Sequence, residues 1–286
     1  MEVSNLIIDF HTHIFPDKIS ADVIEKLSLS SKTKYFSDGT LNGLINSMRN
    51  AEINFSVVLP VATNTAQVEK INNSAATLNE KFFERGIISF ASMHPDFENY
   101  CAELNRIKNL GFKGLKVHPV YQNTNLDDKK FLRIFYRAAE LDLIVVTHAG
   151  LDIGFPGVIK CSPKMSANVI DEIGEFKFVL AHMGGWKNWR EVLEILGDKK
   201  IFLDTSFSTG KIIPRKDFSW REEDLNLLDE NNFMDFIKTF GADKILFGTD
   251  SPWSSAIDSI NFIKKIPATN DDKNKILGLN AHNLLF

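Results

Sequence analysis

Six of the seven histidines stand at or near the ends of short apolar runs, where parallel α/β proteins concentrate their chemistry. The first two, His11 and His13, are separated by a single residue. In an extended strand, residues i and i+2 point to the same face, about 6.6 Å apart along the chain. Both imidazoles therefore project to one side, where they can bind one metal ion with Zn–N bonds of about 2.0–2.1 Å.

Two more residues could complete that metal site. His148 ends a later apolar run, and Asp250 ends the last one. Three imidazoles and one carboxylate, with space for water, suit Zn²⁺ or a neighbouring divalent ion rather than an iron–sulfur cluster. The sequence therefore predicts a metal site formed by His11, His13, His148 and Asp250.

The other candidates have competing interpretations. Lys116 would be costly inside a barrel unless it is paired or neutralised, so it is a carboxylated bridging ligand, an electrostatic group, or a lysine whose amine reaches water. His118 follows two residues later on the same face. His94 precedes a proline, so it equally well ends a strand. His282, in the last predicted helix, is interpreted as structural.

The elements that position these residues are short buried strands. Eight apolar or β-branched runs end in polar, Gly or Pro positions, which is typical of strands buried on both faces of a parallel sheet. The predicted strands are Leu6–His13, Phe55–Ala62, Gly86–Pro95, Gly114–Val120, Leu143–Gly150, Lys177–Gly185, Ile201–Phe207 and Lys244–Trp253.

Segments with helical spacing of apolar residues separate most of these runs. The predicted helices are Thr65–Arg85, Glu98–Leu110, Asp127–Leu141, Pro163–Gly174, Lys187–Gly197, Asn231–Gly241, Ser255–Lys265 and a closing helix Asp271–Leu285.

Regular alternation of strands and helices predicts an α/β fold of eight units, a (β/α)8 TIM barrel forming one domain over residues 1–286. A doubly wound sheet is disfavoured because His-Thr-His, rather than a Gly-rich phosphate turn, follows the first strand. Two connections, Ala149–Ser162 and Ser208 to about Glu230, are long enough to be lids or substrate walls.

Composition excludes several classes of protein. With 44% hydrophobic and 24% charged residues among 286, the chain is globular rather than disordered. A net charge of −4 gives no basic field for nucleic acid or an anionic membrane. Two cysteines cannot form a disulfide framework. Since neither a signal peptide nor a run of about 18 apolar residues is visible, we expect a soluble cytoplasmic protein.

Taken together, the strand ends resemble a known family. The motifs are His-Thr-His at 11–13, Thr-His-Ala-Gly at 147–150, Ala-His-Met-Gly-Gly at 181–185 and Phe-Gly-Thr-Asp-Ser-Pro-Trp at 247–253. They are similar to the amidohydrolase superfamily, and more closely to its amidohydrolase-related branch, which includes aminocarboxymuconate semialdehyde decarboxylase. Gly-Leu-Lys-Val-His-Pro at 114–119 and Leu-Asn-Ala at 279–281 also match that branch.

The resemblance implies a metal at the carboxyl ends of the strands, with His11, His13, His148 and Asp250 as its ligands. It also implies that His182 is a catalytic acid or base beside that metal. In two-metal relatives a carboxylated lysine bridges the ions, and Lys116 could take that place with His148 and His182 on the second ion; His118 leaves that assignment open. One ion, most simply Zn²⁺, is favoured over two.

These residues suit two reactions of a small, carboxylated metabolite. Metal-activated water, with Asp250 as the proton acceptor and His182 as the acid, would hydrolyse an amide, ester or lactone. The same groups serve non-oxidative decarboxylation. Hydrolysis is ranked first because it is commoner across the superfamily, decarboxylation is the alternative, and a non-catalytic metal-binding barrel comes last. A homodimer is an expectation from the family.

Overall fold

The computed structural model describes residues 6–286, and this range has an α/β fold with parallel strands. Residues 1–5, which belong to the stretch on which the absence of a signal peptide was predicted, lie outside the described residues. No helix within residues 6–286 has the length and apolar character required to cross a membrane.

All eight predicted strands are present, though each is shorter than its apolar run, and the third is interrupted at Phe90. Their bounds are β1 Ile8–Thr12, β2 Phe55–Val58, β3 Ile87–Ser89, β4 Ala91–Ser92, β5 Gly114–Val117, β6 Ile144–Thr147, β7 Phe178–Leu180, β8 Phe202–Asp204 and β9 Ile245–Leu246. Every residue of β1, β5 and β6 is buried, as strands covered on both faces require.

The helices of the described range follow the strands and include all eight predicted ones. They are α1 Asp17–Ser31, α2 Leu41–Asn50, α3 Val68–Phe82, α4 Tyr100–Asn109, α5 Lys129–Glu140, α6 Pro163–Ile173, α7 Trp189–Leu196, α8 Glu222–Leu225, α9 Glu230–Phe240, α10 Ala256–Lys265, α11 Asn270–Asn274 and α12 Asn280–Leu285. A π-helical turn, Lys275–Leu279, joins α11 to α12, so the predicted closing helix is interrupted.

Several helices begin where a short polar side chain caps them. The Ser162 hydroxyl accepts a hydrogen bond from Met165 N, and Pro163 follows at the first helical position, where its missing N–H costs nothing. Asp229 caps α9 in the same way through Asn232 N at 2.8 Å. Such caps fix where each helix starts, and therefore how long the preceding loop is.

The chain divides into two compact units. The first unit comprises residues 1–56, 153–156 and 204–286, and the second comprises residues 57–152 and 157–203. The single domain predicted over residues 1–286 stays a prediction.

The second unit contains a continuous parallel ladder. Leu115 of β5 pairs with Ala91 of β4 on one side and with Val145 of β6 on the other. The ladder continues from Val145 to Phe178 in β7, and from β7 to the start of β8. Because parallel strands run in one direction, the residues that follow β5, β6 and β7 all leave from the same edge.

In the first unit, β9 lies between β1 and the residue that follows β8. Phe10 N donates to Phe247 O at 2.8 Å, and Thr205 N donates to Leu246 O at 3.0 Å. The residues that follow β1, β8 and β9 therefore emerge side by side.

Phenylalanine fills the interior of both units. In the second unit, Phe178 stacks on Phe176 with ring centroids 4.7 Å apart and contacts Phe135 at 5.9 Å. In the first, Phe233 of α9 contacts Phe262 of α10 edge-on at 5.6 Å. Each pair joins neighbouring elements, and aromatic contacts of this kind contribute about 0.5–1.5 kcal/mol beyond the area they bury.

Both predicted long loops exist, but the second is more ordered than expected. Between β8 and α9 the chain forms bridges of Thr209 with Leu228 and of Lys211 with Asn226, and it includes the short helix α8. Its far end is attached to α1, because Arg215 pairs with Glu25 at 2.9 Å. This connection is therefore a structured arm rather than a free lid.

Candidate metal centre

The first cluster comprises His11, His13, Asp204 and Asp250, all within the first unit. The backbone holds its two strand ends together, since Asp250 N donates to His11 O at 2.8 Å and His13 N donates to Ser251 O at 2.7 Å. Gly248 permits this approach: a Cβ there would lie 2.9 Å from the Cβ of His11. Main-chain hydrogen bonds between the two strand ends therefore place the carboxylate of Asp250 beside His11 and His13.

Three potential ligand atoms of the first cluster lie at the spacing of a coordination shell. His11 Nε2 is 3.2 Å from His13 Nε2, and Asp250 Oδ1 is 3.1 Å from His13 Nε2 and 3.6 Å from His11 Nε2. Two ligands bonded at 2.0–2.1 Å to a tetrahedral ion are about 3.3 Å apart. The side chain of His13 is 20% exposed, whereas those of His11 and Asp250 are 1% and 12% exposed. The arrangement fits one divalent cation reached from the His13 side.

A buried carboxylate that the sequence analysis missed orients His11. Asp204, the last residue of β8, is fully buried, and its Oδ2 lies 2.8 Å from His11 Nδ1. Its other oxygen, Oδ1, accepts hydrogen bonds from the backbone N–H of Ser206 at 3.1 Å and from the Ser206 hydroxyl. The available signal was an acidic residue three positions before the end of the seventh predicted strand, the same position that Asp250 occupies in the eighth.

A second buried carboxylate supports the backbone of the first cluster. Asp9 Oδ1 accepts from Thr249 N at 2.9 Å and from His11 N at 3.3 Å, while Thr249 Oγ1 donates to Asp9 Oδ2 at 2.6 Å. Burial raises the pKa of Asp9 to about 7, against the lowering effect of these hydrogen bonds.

Asp250 has a φ of +61°, a conformation that non-glycine residues adopt at a cost of order 1–3 kcal/mol.

The second cluster comprises His118, His148, Asp152 and His182, all within the second unit. The rings of His118 and His148 are stacked, with centroids 4.2 Å apart and an interplanar angle of 15°. Asp152 Oδ2 lies 3.5 Å from His118 Nε2 and 3.9 Å from His148 Nε2. These three residues form a second group that could hold an ion. Only the 3.9 Å separation exceeds those of the first cluster, but the lone pairs of two stacked, nearly parallel rings do not converge on one point.

Backbone contacts determine where the protons of the second cluster lie. His148 Nε2 is 3.1 Å from the Leu151 carbonyl, which can only accept, so Nε2 carries the proton. His148 Nδ1 must then accept from His182 Nε2, 3.0 Å away. Burial, with the nearby His118, His182 and Lys116, holds the pKa of His148 well below its usual range.

His118 carries its proton on Nε2 for a similar reason. Tyr121 N can only donate, and it lies 3.4 Å from His118 Nδ1. The His118 and His148 Nε2–H groups therefore both lie near the buried carboxylate of Asp152. In the second cluster the hydrogen-bond partners therefore place protons on Nε2 of His118 and His148, whereas in the first cluster the contact with Asp204 places the proton of His11 on Nδ1.

The structure brings three of the four predicted ligands together, namely His11, His13 and Asp250. His148, the fourth, lies in the second cluster with His182 and His118, and its role as a ligand stays a prediction from the family resemblance. Asp152, two residues beyond the Ala-Gly that follows His148, was missed because nothing in the loop sequence distinguishes it from a solvated residue.

The remaining candidates occupy less informative places. Lys116 in β5 is fully buried, with 1% of its surface exposed, so its amine does not reach water. His94 Nδ1 accepts from Asp96 N at 3.2 Å, and burial lowers the pKa of His94, consistent with a residue that ends a strand. His282 is exposed on α12, where its ring lies 5.1 Å from that of Phe286, and its structural role stays a prediction.

Comparison with known proteins gives a family and a fold. The family model described as Amidohydrolase matches residues 8–286. No curated protein matches the chain. The (β/α)8 fold class predicted from the sequence is confirmed by solved structures that are similar over nearly the whole chain.

Three such structures illustrate the likeness. An uncharacterized TIM-barrel protein from Bordetella bronchiseptica has a TM-score of 0.74 and 18% identity, covering 98% of each chain. The 5-carboxyvanillate decarboxylase LigW from Sphingomonas paucimobilis has a TM-score of 0.71 and 15% identity, covering 98% of this chain and 99% of that one. A dihydroxybenzoic acid decarboxylase from Polaromonas, with bound manganese and the inhibitor 2-nitroresorcinol, has a TM-score of 0.68 and 17% identity over 98% and 97%.

Proposed function

Because the chain belongs to the amidohydrolase family, we propose that it is a metal-dependent enzyme that decarboxylates a small hydroxylated aromatic acid without an oxidant. The observation that carries this proposal is the first cluster, whose three ligand atoms lie 3.1–3.6 Å apart. That spacing suits one divalent cation.

Decarboxylation is placed ahead of hydrolysis, which reverses the order suggested by the sequence. Two of the similar structures are decarboxylases of hydroxylated aromatic acids, and one of these holds manganese. The ligand set of imidazole and carboxylate is equally compatible with Mn²⁺ and Zn²⁺. We therefore take the metal to be divalent, and zinc stays a prediction.

His11, His13 and Asp250 would hold the cation. When bound, the cation would polarise the carboxylate or hydroxyl oxygen of the substrate and so stabilise the negative charge that develops on the ring. Asp204 and Asp9 keep His11 in place, one through its ring and the other through its main chain.

His182 is the proposed acid. This role rests on the family resemblance, and in the structure His182 Nε2 donates to His148 Nδ1 at 3.0 Å. In the reaction, the bond between the ring and the carboxylate breaks and CO₂ leaves. A proton from the imidazolium form of His182 forms the new C–H bond, and His182 regains a proton from solvent.

Three basic side chains in the segments that follow β7 and β8 form ion pairs with acidic neighbours. Arg190 pairs with Glu194, Lys211 pairs with Glu222, and Arg215 pairs with Asp217 and Glu25. These exposed pairs contribute little to stability, but they make the cation the better partner for a carboxylate. The proposed substrate is therefore a small molecule that binds the metal directly; nucleic acid and membrane are not proposed partners.

The test is a reaction screen of Mn²⁺-loaded protein with hydroxybenzoates, lactones and amides assayed in parallel. Using substrate labelled with ¹³C at the carboxylate, we expect labelled CO₂ together with the decarboxylated phenol, and no ¹⁸O from water in the organic product. Water-derived ¹⁸O in the product without CO₂ would instead identify a hydrolase. Turnover of none of the three classes, by protein that binds the metal, would overturn both assignments.

A further inference from the structure

We propose that Asp204 is a positioning residue that fixes the tautomer of His11, so that the lone pair of His11 Nε2 faces the cation. The inference rests on the proposed metal centre and names a residue that neither the family resemblance nor the sequence pattern assigns. Its basis is one short contact between two buried side chains, at 2.8 Å from His11 Nδ1 to Asp204 Oδ2.

The direction of this hydrogen bond follows from the chemistry of its partners. An ionised carboxylate only accepts, so His11 Nδ1 must donate. A neutral imidazole carries one N–H, and Nε2 is therefore left with its lone pair. His11 Nε2 is the atom that lies 3.2 Å from His13 Nε2 and 3.6 Å from Asp250 Oδ1. The hydrogen bond to Asp204 therefore leaves His11 Nε2 unprotonated already in the metal-free protein.

Ser206 determines which oxygen of Asp204 faces the histidine. Its backbone N–H and its hydroxyl both donate to Oδ1, which leaves Oδ2 for His11. With two donors on one oxygen and one on the other, the carboxylate has a fixed orientation. Asp204 is fully buried, so water is not at hand to replace any of the three donors.

This asymmetry makes Asp204→Asn a specific test. The amide oxygen should take the Oδ1 position, where two donors require an acceptor, and the amide NH₂ should then face His11 Nδ1. Since NH₂ donates, His11 would be driven to the other tautomer, with its proton on Nε2, where the cation should bind. The same logic accounts for the loss of activity when the orienting aspartate of a Ser-His-Asp triad is changed to asparagine.

We expect Asp204→Asn to weaken Mn²⁺ binding about 10–100-fold, the range typical for loss of a partner that orients a ligand. Electron paramagnetic resonance of free Mn²⁺ during titration measures the affinity. In the metal-free protein, ¹⁵N NMR of selectively labelled histidine should show the His11 proton on Nδ1 in the wild type and on Nε2 in Asp204→Asn.

Glu103→Gln is the matched control. Glu103 is a buried carboxylate of the second unit, and it accepts hydrogen bonds from Asn72 Nδ2 at 2.7 Å and from Arg106 Nε at 2.7 Å. It tests the same change from carboxylate to amide at a buried position outside the first cluster. We expect Glu103→Gln to bind Mn²⁺ within about threefold of the wild type. Circular dichroism would establish that both variants are folded.

A double variant separates the orientation effect from a general loss of structure. In Asp204→Asn/Ser206→Ala, one donor to Oδ1 is gone and the amide is freer to turn its oxygen toward His11. It should bind Mn²⁺ more tightly than Asp204→Asn alone, although it lacks one more hydrogen bond.

The outcomes distinguish this inference from the proposed function. Wild-type affinity in Asp204→Asn, or an unchanged His11 tautomer, would overturn the role of Asp204 while leaving the metal centre intact. A wild-type protein that binds no Mn²⁺ would overturn the metal centre, and the NMR comparison would still decide the role of Asp204. A double variant no tighter than Asp204→Asn would also count against it.

Discussion

The two histidine clusters of this molecule use the same residue types in opposite protonation patterns. In the first cluster, the Asp204 carboxylate accepts a hydrogen bond from His11 Nδ1, which leaves Nε2 with its lone pair. In the second, the Leu151 carbonyl accepts a hydrogen bond from His148 Nε2, and Tyr121 N donates to His118 Nδ1. The hydrogen-bond partner of each ring therefore determines which of its nitrogens is left with a lone pair.

The difference shows why counting histidines is a poor guide to metal number. Six imidazoles at strand ends allow for two ions, yet only the first cluster combines separations near 3.3 Å with an unprotonated His11 Nε2. His118, His148 and Asp152 of the second cluster could also hold an ion, but a cation there would have to displace the Nε2 protons of both imidazoles. One ion is therefore the expectation for this protein.

The largest expected effect is on metal content. We expect about one equivalent of Mn²⁺ per chain in the wild type after dialysis, and loss of nearly all of it in His11→Ala and Asp250→Asn. His118→Ala and Asp152→Asn, the matching variants of the second cluster, should keep the metal. Elemental analysis and a return of activity on adding Mn²⁺ after chelation measure this.

Loss of metal from His118→Ala or Asp152→Asn would contradict the prediction that only the first cluster binds the metal. His148→Ala tests the fourth predicted ligand: retention of full affinity would remove His148 from the ligand set.

The next effect concerns turnover. His182→Gln removes the proposed acid and should lower kcat by about 10²–10⁴-fold, the usual contribution of a positioned proton donor, while the metal content stays at the wild-type level. Steady-state decarboxylation with Mn²⁺ in excess provides the rate, and His94→Gln, a histidine at another strand end, is the control. Simultaneous loss of metal would place His182 among the ligands and favour two ions.

A smaller effect is expected in stability, from the glycines beside each cluster. A Cβ on Gly150, which has a φ of +89°, would lie 2.1 Å from Trp186 N, so Gly150→Ala combines backbone strain with a collision. We expect it to lower the free energy of unfolding by about 2–6 kcal/mol. Gly157→Ala, with a φ of +82° and nothing within 4 Å, should lower it by only about 1–2 kcal/mol.

Denaturant titrations of metal-free protein measure both values, and Gly248→Ala should fall between them because its contact is with a side-chain atom. Equal values for Gly150→Ala and Gly157→Ala would contradict the close approach of Gly150 to Trp186.

The smallest effect is on thiol reactivity near the second cluster. Cys161 is buried and its thiol donates to Gly150 O at 3.3 Å, while burial raises the pKa of that thiol far above its usual range. Cys101 is exposed. A thiol reagent should modify one cysteine per native chain and two in denaturant. Equal native rates for both would mean that water reaches the interior beside His148.

The sequence predicted the elements with regular apolar spacing and missed those without it. The helix α1 was overlooked because two of its three buried positions are serines, Ser20 and Ser28, which carry no hydrophobic signal. The helix α2 was overlooked as well. It contains Gly43 and has three buried positions, namely Leu44, Ile45 and Met48. Helices with a continuous apolar stripe, such as α5, were placed to within two residues.

Within the candidate site, residues at the ends of strong strands could be predicted, and their partners could not. His11, His13 and Asp250 follow long apolar runs, so their common edge is implied by the fold class. Asp204 contacts His11, which is 193 residues away in the sequence, and Asp152 lies near His118 and His148. Both contacts depend on side-chain rotation and on the path of a loop. Which nitrogen of each ring carries a proton depends on these partners, and so it could be obtained only from the structure.

The hydrogen bonds of the first unit also have a consequence for how the protein is made. Thr249 contacts Asp9 across 240 residues, and Phe247 N donates to Ile276 O in the π-helical turn near the end of the chain. At about 5–20 residues per second, His11 and His13 leave the ribosome roughly 10–50 s before Asp250 does. The first cluster can therefore be completed only after the segment that contains Asp250 has been synthesised, long after the segment that contains His11 and His13.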